Sequence, residues 1–479
     1  MLPLAEAKPV HARWSDANRA FLEFVERNPE YLDRAAFASL GGNPTYRKFV
    51  LQPWPLFIGP QQLGEMAEVA LGIDRLVKST LKRFLRGDPA AVIEYYRSVA
   101  LDEMNPSEFV ALDMSPELLE LLLQEPTGID GALSRADYIE TAEGLKCIEF
   151  NCGSYLGGLS GHGVAEQYRA APHVRRFLDE HGLAVREPRL LRALFRHVLE
   201  DTARMGAWKG GEFNLAVLAR PHNAEQVALH DPELYQRQLD AALAEDGRAP
   251  GGRVLLIAPE DLADTEGVLT VDGLPVHAVI EQHDGSGDLR MLFWFFKHGR
   301  VNLYSGPVTA LLLDKRNLAM ISENADSPEY TDAERALIAK HVPWTRRLLA
   351  GETTFGGRPL RIPEDVVARR AELVLKKATS LGGSQVHVGR FRTDEEWRAV
   401  VERGIRENDW VVQEYLQTVH YALQGGEHGV ERFDLIWGLF AFGDHFGGAF
   451  LRVQPQGGGS GVVNTRQGAE VGALLELAD

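Results

Sequence analysis

The chain has 479 residues, of which 45% are hydrophobic, and it carries a formal net charge of −17. The length indicates about three domain-sized units, and the hydrophobic content permits a sizeable core. The strongly acidic balance argues against general binding to nucleic acid or to an anionic membrane surface, so we expect neither as a partner.

Signals for targeting and for crosslinking are both weak. The N-terminal residues lack the apolar core of a signal peptide, and no stretch approaches about 18 consecutive apolar residues. We therefore expect a cytoplasmic protein without a membrane-spanning segment. The two cysteines, Cys147 and Cys152, are too few for a disulfide framework and do not have zinc-site spacing, so both are predicted to be buried thiols.

The N-terminal region, residues 1–128, is predicted to be mostly helical. Apolar residues recur at three- and four-residue spacing within 18–25 and 65–85, as expected for amphipathic helices. Ser115 and Pro116 precede the run ELLELLL and are typical of an N-cap and a first helical turn.

The most informative segment is residues 134–151, SRADYIETAEGLKCIEFN, which is predicted to form a β-hairpin. A three-residue loop ending at Gly144 would join strands 135–141 and 145–151. The predicted cross-strand pairs are Thr141–Leu145, Glu140–Lys146, Ile139–Cys147, Tyr138–Ile148, Asp137–Glu149, Ala136–Phe150 and Arg135–Asn151.

Two carboxylates, Asp137 and Glu149, would then face each other beside Arg135 and Asn151. Facing like charges are destabilising unless a cation lies between them. Two carboxylates and an amide oxygen are hard ligands that suit Mg²⁺ held together with substrate phosphates. The simpler interpretation is a solvated polar face of an edge hairpin. Under the repulsion argument, removal of one carboxylate would raise the stability of the metal-free protein.

Two further units are predicted after the N-terminal region, and the first of them begins with the hairpin. Residues 129–205 form the first, which continues through a glycine-rich bend at 153–163 that matches neither the dinucleotide nor the P-loop pattern. Residues 206–300 alternate strand and helix and are predicted to be a small parallel α/β domain. This block lacks the glycine fingerprint of a dinucleotide site, so we do not expect NAD binding.

The final unit, residues 301–479, contains two lysines of interest. Lys376 lies near the end of the strand ELVLKK, just before a Gly-Gly-Ser loop whose backbone amides can cover phosphates. Lys315 lies earlier in the unit. The strand 410–417, WVVQEYLQ, can offer backbone groups to an adenine while Glu414 binds the ribose. Taken singly, each lysine is more typical of an ordinary surface lysine, and the competing interpretation of the 410–417 segment is an ordinary strand.

Together these motifs resemble those of circularly permuted ATP-grasp proteins of the kind represented by glutathionylspermidine synthetase. The matching features are the hairpin R-x-D-Y…E-F-N, the segment D-K-R-x-L, the run VLKKATSLGGSQV and the strand VVQEY. In that family, as here, the metal-binding strands precede the nucleotide-gripping lobes. The resemblance implies a chain of the α+β or α/β class with a circularly permuted ATP-grasp fold, a helical N-terminal region and a pre-ATP-grasp-like domain.

The resemblance also implies roles for the matched residues, with ATP and Mg²⁺ as cofactors. Asp137, Glu149 and Asn151 would hold Mg²⁺ between the β- and γ-phosphates. Arg135 would be the catalytic residue that steadies the transferred phosphoryl group. The implied ATP-binding residues are Lys315, Lys376, Gly382, Gly383, Ser384, Gln413, Glu414, Tyr415 and Leu416.

Two assignments depend on more local arguments. Either Lys376 or Lys377 could reach the nucleotide, because neighbouring strand residues project to opposite faces, and we favour Lys376. Arg452 follows a strand of small and aromatic residues and is a candidate for binding a substrate carboxylate with both guanidinium nitrogens. An ordinary arginine at a strand end is the competing interpretation.

The implied function is an ATP-dependent carboxylate–amine ligase that works through an acyl phosphate and releases ADP and phosphate. Its partners would be a small-molecule or peptide carboxylate and an amine, with a thiol as the less favoured acceptor. Two alternatives stay open: a kinase-type phosphotransferase on the same fold, and a nucleotide-binding protein without turnover. A homodimer is expected only because dimers are the commonest oligomers.

Overall fold

The computed structural model describes the chain from residue 11 onward, with several interruptions. The described residues are 11–37, 40, 50–87, 128–154, 156–219, 231–245, 247, 251–281, 290–304, 309–378, 380, 383, 385–426 and 429–479. The predicted helix start at Ser115 and Pro116 lies outside them, as do Gly382 and Ser384. Within these ranges, no helix is both long enough and apolar enough to cross a membrane.

Helices occur along the whole described chain. In order they are α1 (Asp16–Arg27), α2 (Pro60–Gly87), α3 (Gly161–Ala170), α4 (Pro172–His181), α5 (Leu190–Met205), α6 (Pro232–Glu245), α7 (Arg290–Lys297), α8 (Thr309–Leu313), α9 (Arg316–Glu323), α10 (Asp332–His341), α11 (Glu364–Ala368) and α12 (Asp394–Glu407). Ser15 caps α1 by accepting a hydrogen bond from the backbone N–H of Ala17. The periodic segments 18–25 and 65–85 are helical, as predicted.

The strands pair into several sheets, which makes this a mixed α/β protein. They are β1 (Leu56–Ile58), β2 (Leu133–Thr141), β3 (Gly144–Cys152), β4 (Leu215–Leu218), β5 (Val254–Ile257), β6 (Leu262–Thr265), β7 (Val268–Val271), β8 (Leu274–Pro275), β9 (Ala278–Glu281), β10 (Asn302–Tyr304), β11 (Thr345–Arg347), β12 (Gly351–Phe355), β13 (Arg358–Ile362), β14 (Leu373–Lys377), β15 (Val386–Val388), β16 (Trp410–Glu414), β17 (Tyr421–Gln424), β18 (Val430–Phe442), β19 (His445–Pro455), β20 (Glu470–Gly472) and β21 (Leu474–Glu476).

The largest sheet, here called the central sheet, is antiparallel and carries the predicted hairpin at one edge. Its strand order is β20-β19-β18-β2-β3, and β17 also pairs with β18. Helices α2 and α5 pack against it. Ser134 contacts α2, so Asp137 projects from the opposite face by strand alternation. Cys147 and Cys152 are both buried in β3, as predicted.

The hairpin keeps the predicted register near its carboxylates but not near its turn. The pairs Arg135–Asn151, Ala136–Phe150 and Asp137–Glu149 occur as predicted. A β-bulge after Asp137 then shifts the pairing by one residue. The pairs beyond the bulge are Tyr138–Cys147, Ile139–Lys146, Glu140–Leu145 and Thr141–Gly144. The loop therefore has two residues instead of three, and Gly144, with φ of 120°, belongs to the ladder.

The side chain of Glu140 also has partners other than the predicted Lys146. Its carboxylate, predicted to pair with Lys146, instead accepts a hydrogen bond from Trp14 Nε1 at 2.9 Å and another from the Tyr421 hydroxyl. Arg13 adds an ion pair at 2.8 Å. These partners come from distant parts of the chain, so the local pattern could not reveal them. The bulge absorbs the shift without disturbing the facing carboxylates.

The block 206–300 contains a parallel sheet, as its alternation of strand and helix predicts. The strand order is β10-β9-β4-β5, and all neighbouring strands are parallel. A small antiparallel sheet, β6-β7-β8, turns at Asp272 and Gly273, as predicted, and both residues have positive φ. Strand β10 begins at Asn302, just past the predicted unit boundary at 300.

A second antiparallel sheet, here called the gripping sheet, has the strand order β11-β16-β14-β15. Helix α12 packs on it through Trp397 and Val401, which join Leu375 and Trp410 in a hydrophobic core separate from the main one. A capping box at Thr393 starts this helix. Because this hydrophobic core is separate from the main one, the gripping sheet forms a packing unit distinct from the central sheet.

A buried ion pair ties α2 to the first strand of the hairpin. Lys78 Nζ lies 2.9 Å from the carboxylate of Asp74, and both side chains are buried. Lys78 also donates to the Ala132 carbonyl at 2.7 Å, and the Ser134 hydroxyl donates to Asp74 at 2.6 Å. Burial raises the pKa of Asp74, although Lys78 opposes the shift. The pair therefore depends on both partners staying in place.

Replacement of Lys78 by methionine should lower the free energy of unfolding by about 3–5 kcal/mol, because it leaves Asp74 buried without its cation. The matched control is Lys82→Met on the same helix, whose partner Asp130 is largely exposed. That variant should change stability by less than about 1 kcal/mol. Urea unfolding of both variants measures the difference, and equal effects would contradict this account of the pair.

Candidate functional site

A cleft lies between the gripping sheet and the face of the central sheet that bears Asp137. It encloses about 920 Å³, counted out to its open mouth. Its lining residues are Asp137, Ile139, Ile148, Glu149, Val374, Lys376, Gly383, Val386, Val388, Gln413, Glu414, Tyr415, Leu416, Thr418, Asp434, Leu435, Ile436, Arg452, Gly461, Val462, Val463 and Asn464. The fold thus brings most of the described candidate residues to one place, although together they span more than 300 positions of the sequence.

Arg135 lies beneath the cleft and is held from several sides. Its Nε donates to Asp137 Oδ1 at 3.1 Å, and one terminal nitrogen donates to the carbonyls of Leu156 and Gly157. Gly438, on the neighbouring strand, leaves space for it, because a Cβ there would lie 2.9 Å from Arg135 Cδ. The glycine-rich bend therefore positions Arg135 by its carbonyl groups.

Asp137 is surrounded by donors. Besides the contact with Arg135, its Oδ2 lies 2.7 Å from a terminal nitrogen of Arg452, on β19. The same oxygen accepts a hydrogen bond from the Asn151 amide nitrogen at 3.2 Å. Burial would raise the pKa of this carboxyl, but the charges of Arg135 and Arg452 outweigh it, so the pKa falls below its ordinary value. The predicted repulsion between the carboxylates is therefore not the dominant interaction at Asp137.

Glu149 is bound by a lysine from the other side of the cleft. Lys315 Nζ lies 3.3 Å from Glu149 Oε1 and also donates to the Ser380 carbonyl. The backbone N–H of Lys315 donates to the Ala378 carbonyl at 3.0 Å. Lys315 therefore connects the metal-binding hairpin predicted from the sequence to the start of the glycine loop.

Lys376 and Lys377 project to opposite faces, as strand alternation requires. Lys376 is buried in the cleft, and its Nζ donates to the Ile148 carbonyl at 2.7 Å and to Gln413 Oε1 at 2.9 Å. Lys377 instead lies 3.8 Å from Asp409. Burial lowers the pKa of Lys376 to about 8, although Glu149 opposes that shift. The geometry favours Lys376 as the cleft lysine.

The charges of this cluster do not balance. Four buried cations, Arg135, Lys315, Lys376 and Arg452, lie around the two carboxylates Asp137 and Glu149. The cleft is also lined by the carboxylates of Glu414 and Asp434, which have partners of their own in Trp344 and His420. Arg452 Nε is buried and has no hydrogen-bond partner among the described residues. An excess of buried positive charge is unfavourable unless an anion is supplied. The cluster is therefore suited to an anionic ligand, such as a chain of phosphates.

The end of β16 and the two residues after it also line the cleft. The backbone N–H of Tyr415 donates to the Glu372 carbonyl at 2.7 Å. The carboxylate of Glu414, predicted to bind a ribose, accepts a hydrogen bond from the Trp344 N–H at 2.8 Å. Ile139 and Ile148 also line the cleft and add apolar surface to it.

Asp434 is a cleft residue that the sequence interpretation missed. It lies on β18, four residues before Gly438, which pairs with Asp137, and so it projects from the same face. His420 Nδ1 lies 2.6 Å from its carboxylate. No motif surrounds Asp434 in the sequence, and only its alternation with Ile436 and Gly438 could have placed it on the cleft side.

Two glycine-containing loops meet at the mouth of the cleft. Gln467, after β19, donates to the Gly383 carbonyl at 3.4 Å. Gly383 has φ of 72°, and a Cβ there would lie 3.0 Å from Val462 Cγ1. A side chain at Gly383 would therefore strain the backbone and crowd the second loop.

The donor set also defines what metal the site could hold. Asp137 and Glu149 supply carboxylates, and Asn151 turns its amide nitrogen to Asp137, which leaves its oxygen as an acceptor. No group of three or more His, Cys, Asp or Glu side chains in the described ranges is arranged to hold a metal ion. The residues fit a hard cation that takes its other oxygens from phosphates, such as Mg²⁺, rather than an all-protein metal cage.

Comparison with known proteins shows the fold. A glutathione synthetase-like effector from Globodera pallida aligns over 93% of this chain and 97% of its own, with a TM-score of 0.56 and 12% identity. D-alanyl-alanine synthetase A from Vibrio cholerae aligns over 47% and 68%, with a TM-score of 0.23 and 9% identity, too low to carry an argument. No family model and no curated protein matches the chain. The chain therefore shares the mixed α/β fold of that effector.

Replacement of Asp137 by asparagine should lower the free energy of unfolding by about 3–5 kcal/mol, because Arg135 and Arg452 lose their buried counter-charge. This is the opposite of the stabilisation expected from repulsion. The matched control is Glu149→Gln, which removes the facing, partly exposed carboxylate and should cost about 1 kcal/mol or less. Urea unfolding in metal-free buffer tests both, and a stabilised Asp137→Asn variant would restore the repulsion argument.

Proposed function

We propose that the protein is an ATP-dependent carboxylate–amine ligase that forms an amide bond and releases ADP and phosphate. The observation that carries this proposal is the surplus of buried cations around Asp137 and Glu149 at the floor of a cleft between two sheets. A triphosphate supplies the anion that the four cations need, and Asp137 and Glu149 would ligate its Mg²⁺ in exchange for their present partners.

The proposed reaction has two steps. The γ-phosphoryl group of ATP passes to an oxygen of the substrate carboxylate, which gives an acyl phosphate and ADP. The amine nitrogen then bonds to the acyl carbon, the bond from that carbon to the phosphate oxygen breaks, and the nitrogen loses its proton to solvent. Positioning and charge neutralisation supply most of the rate enhancement in such a transfer.

The buried cations have separate proposed roles. Arg135, held by backbone carbonyls, would steady the transferred phosphoryl group, and Lys315 and Lys376 would bind phosphates from the gripping side. Arg452 would bind the substrate carboxylate, a role supported by its unpartnered Nε. Each of these groups now contacts a carboxylate or a carbonyl, so binding would exchange protein partners for ligand partners.

Mg²⁺ would be held by Asp137, Glu149 and the Asn151 oxygen, and when bound it would neutralise phosphate charge. The end of β16 and the residues that follow it, from Gln413 to Leu416, would bind the adenine, together with Ile139 and Ile148. The loop around Gly383 would close over the triphosphate and exclude water, since an acyl phosphate hydrolyses when exposed. The neighbour whose fold the chain shares is described as glutathione synthetase-like, which supports a ligase.

A panel of carboxylate and amine pairs, screened for products of ATP cleavage, tests the proposal directly. We expect ADP and phosphate to appear only when both an acid and an amine are supplied, and Glu149→Gln should reduce that turnover at least about a hundredfold. Release of AMP and pyrophosphate would overturn the acyl-phosphate route. A stable phosphorylated product without amine dependence would indicate a phosphotransferase, and tight ATP binding without turnover a silent binding protein.

The lowered pKa of Lys376 predicts how nucleotide binding depends on pH. Below its pKa of about 8 the ammonium is charged and attracts phosphate, and above it the charge is lost. The dissociation constant for ATP, measured by titration calorimetry, should therefore rise about tenfold between about pH 7.5 and about pH 9.5. Lys376→Met should bind more weakly at the lower pH and lose this dependence. A wild-type affinity that stays constant across the range would contradict the assignment.

A further inference from the structure

Thr345 lies behind the cleft and does not line it. It opens β11, the edge strand of the gripping sheet, where it pairs directly with Gln413 of β16. Its relative exposure is 1%, and those of Gln413 and Lys376 are 2% and 5%. These three side chains form a buried polar line that runs from the edge strand to the cleft.

The hydrogen bonds in this line have a fixed direction. The Thr345 hydroxyl donates to the Pro343 carbonyl at 3.0 Å, and a hydroxyl has only one proton to give. Its oxygen must therefore accept the bond from Gln413 Nε2, which is 3.0 Å long. With its nitrogen turned to Thr345, Gln413 presents its oxygen to Lys376 Nζ at 2.9 Å.

We propose that Thr345 is a positioning residue that fixes the amide of Gln413 so that Lys376 keeps its ammonium in the cleft. The Pro343 carbonyl sets the direction of the hydroxyl, the hydroxyl sets the orientation of the amide, and the amide oxygen receives the ammonium. With a second bond to the Ile148 carbonyl, Lys376 has one N–H left for a ligand. This inference rests on the proposed nucleotide site.

Loss of the Thr345 hydroxyl would leave Gln413 Nε2 buried without its acceptor, which is unfavourable. The amide would then be held only at its oxygen, by Lys376, and would shift from its present position. When the amide shifts, the ammonium loses part of its support in the cleft. The effect would be on phosphate binding, although Thr345 itself is buried and does not line the cleft.

The test compares Thr345→Val, which keeps the shape but removes the hydroxyl, with Thr345→Ser, which keeps the hydroxyl. Titration calorimetry with MgATP, without carboxylate or amine, should show an affinity about tenfold weaker for the valine variant and within about twofold of wild type for the serine variant. Thr354→Val, an exposed change on β12, is the matched control and should bind like wild type. Thermal unfolding of each variant reports any general loss of structure.

A double-variant cycle shows whether the effect passes through Gln413. In a Gln413→Leu background, Thr345→Val should change the affinity by less than about twofold, because there is no amide left to orient. A full effect in that background, or weak binding by Thr345→Ser, would overturn the positioning role. If the valine variant does not fold, Thr345→Ala removes the hydroxyl with a smaller change and replaces it in the cycle.

The two proposals fail in different ways. If the wild-type protein does not bind MgATP, the proposed function is wrong and the role of Thr345 goes with it. If the wild type binds and Thr345→Val binds equally well, only the positioning role is wrong.

Discussion

The burial of Asp137 between Arg135 and Arg452 is the constraint on which the site depends. A buried carboxylate needs a cation, and here two guanidinium groups from different strands compete for it. Lys315 adds a similar contact to Glu149, so that the hairpin is linked to distant parts of the chain through charge. The surplus of cations makes the floor of the cleft a receptor for an anion before any ligand is considered.

This constraint separates the roles of the two sheets. The central sheet is packed by helices on one face, so it can hold the charged face rigidly. The gripping sheet has a hydrophobic core of its own and contributes Lys376 through its inner face. The position of that ammonium depends on polar groups inside the gripping sheet, chiefly Gln413. Phosphate binding in the proposed mechanism therefore requires both sheets, each of which is stabilised independently.

The predictability of the site differs from residue to residue. The facing of Asp137 and Glu149 followed from strand alternation. The same rule placed Lys376 and Lys377 on opposite faces, but it did not decide which of them faces the cleft. The predicted register of the hairpin near its turn was wrong. Glu140 was predicted to pair with Lys146, but its carboxylate contacts Trp14 and Tyr421, which are remote in sequence. The expected repulsion was also wrong, since the spacing of two carboxylates says nothing of a third strand that brings Arg452. No motif around Asp434 in the sequence indicated that it lines the cleft.

The sequence by itself determined that Arg135, Asp137, Glu149 and Asn151 share one face of a hairpin, because that property depends on neighbours a few residues away. It also indicated a resemblance to ATP-grasp proteins through short motifs, and the chain shares its fold with a glutathione synthetase-like effector. Only the tertiary structure decided the charge balance, the bulge and the hydrogen-bond line behind Lys376. These depend largely on contacts between residues tens to hundreds of positions apart. The free energies of those contacts are set by burial, and burial exists only after the sheets have packed.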